Sequence, residues 1–101
     1  MALARVAKAA EIPDGTIRGF ELNGRPVAIA NLSGRFYAID GTCVHRGGPL
    51  GDGSLAGSVV TCPWHGWEFD VTTGRNPINP AAGVACFAVE VRGDEVFVDA
   101  G

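Results

Sequence analysis

The chain's two histidines each stand beside a cysteine: Cys43-Val44-His45 and Cys62-Pro63-Trp64-His65, with residues 46 to 61 between the pairs. Two thiolates and two imidazoles brought together would hold a soft or borderline metal. Chance scatter is the bland alternative, and it fares poorly when both histidines lie at ligand spacing from a cysteine. Zinc accepts two cysteines with two histidines, but its structural sites space ligands by about two to four residues. The single residue between Cys43 and His45 is tight for that. A two-iron, two-sulfide cluster offers another solution, in which one iron takes both thiolates and the other both imidazoles. Ligand chemistry alone leaves the two open.

Short strand-like segments recur around these pairs. Thr16–Leu22 runs into Asn23-Gly24, a strong hairpin signal because both residues tolerate positive φ. Pro26–Leu32 ends at Ser33-Gly34, and Arg35–Asp40 carries Phe36, Tyr37 and Ile39, which suit a pleated, half-buried surface. Ser58–Thr61 leads directly into Cys62, and Trp67–Val71 is followed by the turn Thr72-Thr73-Gly74, which is expected to close another strand pair. Val84–Val91 and Glu95–Asp99 form a last hairpin across Arg92-Gly93-Asp94. The one helical candidate is a turn at Ala9–Ile12, stopped by Pro13. The pattern predicts an all-β fold, a small antiparallel β sandwich or barrel forming one domain over residues 1–101. Two loops, at about 41–55 and 62–66, hold the reactive side chains at one end.

Composition removes other classes of function. The 101 residues are 47% hydrophobic and 19% charged, with a mean hydropathy of +0.17, so the chain can bury a core. A net charge of −3 and no basic stripe argue against nucleic acid. The longest apolar run, Val84–Val89, is far short of a membrane span, and Met1–Ala10 lacks the hydrophobic stretch of a signal peptide. Three cysteines are too few for a disulfide scaffold, so a reducing, cytoplasmic setting is expected. Asn31-Leu32-Ser33 then reads as a turn rather than a glycosylation site. Within Val84–Val89, Cys86 reads as a small buried core residue. Gly51-Asp52-Gly53 leads into Val59-Val60 and not into a helix, so it fails as a phosphate loop. Glu68 and Asp70 flank Phe69 as a solvated strand face, and Trp64 and Trp67 read as an apolar wall around the site with room for one exposed edge.

The segments Cys43–Leu50 (CVHRGGPL) and Cys62–Asp70 (CPWHGWEFD) together resemble the Rieske 2Fe-2S signature, and the likeness extends along nearly the whole chain to the small stand-alone Rieske ferredoxins. The resemblance implies one Rieske-type 2Fe-2S cluster, with Cys43 and Cys62 on the inner iron and His45 and His65 on the outer, surface-facing iron. Rieske subunits of cytochrome complexes carry an extra, disulfide-forming cysteine in each loop; here those places hold Gly48 and Trp64. A third, Gly/Pro-rich loop covers the cluster in the family, and Asn76–Gly83 is its counterpart. High-potential members place a serine and a tyrosine, both hydroxyl donors, where this chain has Trp67 and Phe69.

What the resemblance implies is a one-electron carrier without a catalytic site of its own. Its partners would be a flavin-dependent ferredoxin reductase and a terminal aromatic ring-hydroxylating oxygenase, docking transiently near His45 and His65. Both histidines are used by the cluster, which leaves none for the second, mononuclear iron of an oxygenase subunit. Two alternatives stand beside this reading: a small Rieske component of an assimilatory nitrite reductase, and a zinc-stabilised interaction module.

Overall fold

The computed structural model of the chain describes residues 3–43, 47–64 and 66–99. Among them are nine strands: β1 (Ala4–Lys8), β2 (Ile17–Leu22), β3 (Arg25–Leu32), β4 (Arg35–Asp40), β5 (Ser54–Ala56), β6 (Val59–Thr61), β7 (Glu68–Asp70), β8 (Cys86–Arg92) and β9 (Glu95–Asp99). All pairings are antiparallel. Six strands form a sheet in the order β1-β9-β8-β4-β3-β2, and its two edge strands approach each other so that it curls nearly into a barrel. The other three form a small sheet, β5-β6-β7. The all-β barrel-like expectation holds.

Alternation along β3 explains how the two sheets join. Val27 and Ile29 point into the barrel with Ala7, Ile12, Ala38, Val96 and Val98. Ala28 and Ala30 face the other way, into a second core with Ile39, Leu50, Val60, Phe69, Val71, Cys43 and Cys62. Side chains on one strand face alternate with period two, so Val27–Ala30, buried on both faces, is apolar at each position. The small alanines leave room for the second sheet to lie close. Phe69, fully buried there, is worth roughly 1.5–3 kcal/mol of apolar burial.

The two tight hairpins have the turn geometry their sequences suggest. Asn23 and Gly24 have φ of 53° and 80°, and Ser33 and Gly34 of 55° and 88°, the doubly left-handed backbone that matches strand twist. Serine is a poorer choice than asparagine here. The Ser33 N–H is held by the Asp14 carboxylate at 2.6 Å, and the Gly34 N–H by the buried Asn31 at 2.8 Å. Asn31 also donates to the Ile12 carbonyl at 2.7 Å, so its burial is satisfied.

Several expectations need correction. β1, alanine-rich and without a strong strand signal, forms because β9 offers it a partner edge. The expected helical turn is a single 3-10 turn at Ala9–Glu11. The first site loop does not run on to residue 55: a 3-10 turn at Leu50–Asp52 and strand β5 occupy its second half. The turn after β7 closes no strand pair, since β7 pairs with β6 and the chain beyond Gly74 continues into a loop pinned by an Arg75–Gly83 bridge.

The Leu50–Asp52 turn rests on β2 by backbone contact. A Cβ on Gly51 would lie 2.3 Å from the Gly19 Cα and 2.4 Å from its nitrogen, whereas a Cβ on Gly19 would meet nothing nearer than 3.4 Å. Gly51→Ala should therefore cost about 1–3 kcal/mol as an overpacking change, and Gly19→Ala far less. Thermal unfolding of the two variants checks this; equal midpoints would show that the contact yields.

Candidate metal centre

The two cysteines open loops closed by matching backbone hydrogen bonds. The first is framed by a Thr42–Pro49 bridge and the second by the Thr61–Glu68 pair of β6 and β7. The Cys43 N–H donates to the Gly48 carbonyl at 2.8 Å, and the Cys62 N–H to the Trp67 carbonyl at 2.7 Å. Four residues beyond each cysteine, a glycine returns a bond: the Gly47 N–H to the Cys43 carbonyl at 2.9 Å and the Gly66 N–H to the Cys62 carbonyl at 3.1 Å. Both glycines are left-handed, with φ of 71° and 75°, where an L side chain is strained. The two loops are one device used twice. Sequence reading missed this because the histidines stand two and three residues after their cysteines, which hid the shared cysteine-to-glycine spacing.

Both cysteines are 3% exposed and share the core that holds Phe69, Leu50 and Val60. Neither is in a disulfide. The loops touch directly: a Cβ on Gly48 would stand 2.6 Å from the Cys62 Sγ. Two buried thiols in matched, contacting loops suit a group that takes a thiolate from each, so the donor set fits a cluster. His45 and His65, with Val44 and Arg46, lie outside the described residues.

The remaining expectations divide. Trp67 is half-buried against the cysteine core and makes a tilted ring contact with Phe69 at 6.4 Å, as part of a wall would. Trp64 is 57% exposed, so it is the open edge of that wall. Glu68 and Asp70 are half-buried, and Asp70 accepts from the Thr72 N–H and hydroxyl at 2.9 and 2.6 Å, which makes it a turn-former. The loop after Arg75 is closed by the Asn76 N–H to the Ala82 carbonyl, and Val84 beyond it packs on the core of Cys43 and Cys62.

Cys86 is not a core residue. β8 alternates, Phe87 and Val89 being the half-buried positions while Cys86, Ala88 and Glu90 face outward. Its sulfur nevertheless lies close to the Gly74 backbone. Partial burial pushes the Cys86 thiol up from its usual pKa; Arg75 opposes this and Asp70 adds to it. It remains a thiol at neutral pH.

Residues 2–88 match the Rieske [2Fe-2S] domain. The ferredoxin component of a naphthalene 1,2-dioxygenase system from Pseudomonas aeruginosa is 34% identical over 90 residues, 88% of this chain and 86% of the relative. The ferredoxin component of biphenyl 2,3-dioxygenase from Rhodococcus jostii (strain RHA1) is 34% identical over 100 residues, 98% and 94% of the two chains. Among solved structures, a chain in the complex of reduced oxygenase and oxidized ferredoxin in carbazole 1,9a-dioxygenase superposes with a TM-score of 0.85 at 36% identity, covering 95% of this chain and 91% of that one. The chain belongs to the Rieske [2Fe-2S] family, and its cofactor is one Rieske-type 2Fe-2S cluster. That sets aside the zinc reading.

The second loop bears on redox potential. Neither Trp67 nor Phe69 offers a hydroxyl near Cys62. A hydrogen bond to a charged group is worth roughly 1.5–3 kcal/mol, and about 1.4 kcal/mol is about 59 mV for one electron. Lacking two such donors should lower the potential by at most on the order of 100–250 mV, if the bonds favour only the reduced state. A value near the low end of the roughly −150 to +300 mV Rieske range is expected. Phe69→Tyr, placing a hydroxyl in the same core, should raise it by on the order of tens of millivolts. Protein-film voltammetry of both proteins measures this, and a wild-type value near the top of the range would refute it.

Proposed function

We propose that the chain is a one-electron carrier, taking electrons from a flavin-dependent ferredoxin reductase and delivering them to a terminal ring-hydroxylating oxygenase. The observation that carries this is likeness along nearly the whole of both chains to ferredoxin components of dioxygenase systems. The solved complex of an oxygenase with a ferredoxin of this fold supports the oxygenase as the receiving partner. On this reading the chain acts as one unit over residues 1–101, has no catalytic site of its own and works in the cytoplasm. Among the described residues no helix is long and apolar enough to cross a membrane.

In this reading Cys43 and Cys62 hold the inner iron, and His45 and His65 the outer one. The cluster, when bound, supplies a centre that gains and loses one electron. The protein's share follows from the loops. The thiols are buried, whereas Gly47, Pro63 and Gly66 are exposed, so each loop runs from core to surface. An electron can then leave by the loop tips without crossing the sheets.

Cys43→Ser, Cys62→Ser, His45→Ala and His65→Ala should each abolish the Rieske-type EPR signal. Cys86→Ala should keep it, with stability within about 0.5 kcal/mol, as for a surface change. A normal signal in any of the first four, or its loss in the last, would overturn the ligand assignment.

Docking is tested by reconstituted electron transfer from reductase to oxygenase. Arg46→Glu, beside the His45 ligand, should slow turnover more than a charge reversal at the far end. Glu95 is a poor control there, because it is ion-paired with Arg5. Asp94→Lys, at the β8–β9 turn, is cleaner: β8 starts at Cys86 beside Ile39 and ends at Arg92, about 20 Å further on at strand rise. Equal slowing by both would place docking elsewhere.

A further inference from the structure

Trp64 leaves more than half its surface in water, on a loop tip with no charged residue from Cys62 to Trp67. A large aromatic at such a place is mobile unless something seats it. What seats it is Gly48: a Cβ there would lie 3.1 Å from the Trp64 Cγ and 3.3 Å from its Cβ, as well as 2.6 Å from the Cys62 Sγ. Gly48 is itself buried. The stem of Trp64 therefore lies on the first loop's backbone, at the place where that backbone lies on the second loop's sulfur.

We propose that Trp64 is a positioning residue, a clamp that presses the first loop against Cys62 through the side-chain-free surface of Gly48. The Trp64 side chain lies against the Gly48 backbone, and on this proposal it acts through that loop. Two consequences follow. Without the clamp the loops part more readily, and the cluster is lost faster. Water also reaches the Cys62 side, and because water favours the more negatively charged, reduced state, the potential rises. The proposal rests on the ligand assignment above.

The test uses holoprotein. Trp64→Ala should bleach its visible absorbance on mild heating about ten times faster than wild type, equivalent to about 1.4 kcal/mol, and show a raised potential. Trp64→Phe, which keeps a ring on Gly48, should restore both toward wild type. Unchanged lifetime and potential in Trp64→Ala would overturn the clamp. If the alanine variant holds no cluster, the phenylalanine variant decides: rescue supports the proposal, and equal loss overturns it. Cys62→Ser separates the two readings. Should it keep a normal cluster, the ligand assignment fails; should it lose the cluster while Trp64→Ala behaves as wild type, only the clamp fails.

Discussion

The metal end depends on one steric constraint: backbone from the first loop must lie directly on the sulfur of the second. Only a residue without a side chain allows this, and Gly48 is that residue. Close backbone contacts at glycine recur elsewhere, within each sheet and between the Leu50–Asp52 turn and β2. Gly41 lies against Pro26, and its carbonyl accepts from the Leu50 N–H at 2.9 Å; Gly51 lies on Gly19; Gly53 lies on the Thr61 carbonyl. With Ala28 and Ala30 beneath, the small sheet sits closer to the barrel than any larger side chains would permit. Close packing of this kind transmits displacement, and at Gly48 it does so directly onto the Cys62 sulfur.

The matched loops show how a small protein can hold a polar group with few resources. Each spends two backbone hydrogen bonds on shape, one from the cysteine N–H and one to its carbonyl. Those bonds satisfy the peptide groups that flank a buried thiol, and the left-handed glycine turns the chain back to its strand. The side chains between are then free to differ. These bonds fix the cysteine-to-glycine spacing, and in sequence the histidine stands two residues after the cysteine in one loop and three in the other.

The exterior of β8 shows the opposite economy. Phe87 and Val89 complete the barrel core, while the outward positions are under no such demand. Arg25 lies over the Phe87 ring at 4.8 Å and Arg92 over Phe97 at 5.0 Å, so long cationic side chains cover aromatic surface that the short strands leave open.

Much of this was legible beforehand. The Arg35–Asp40 and Glu95–Asp99 strands, the Asn23-Gly24 hairpin and the all-β class follow from alternation and turn chemistry, which act between near neighbours. The metal signature is equally local, because a ligand's identity and its spacing from the next are properties of a few consecutive residues. Other features were settled only by the fold. Ala4–Lys8 becomes a strand because β9 is there to pair with it. Cys86 lies outside because β8 takes the register that buries its neighbours. The fitness of Gly48 depends on a sulfur fourteen residues later in the sequence. Propensity and spacing are carried by the chain itself, whereas burial and close approach depend on which distant segment arrives opposite.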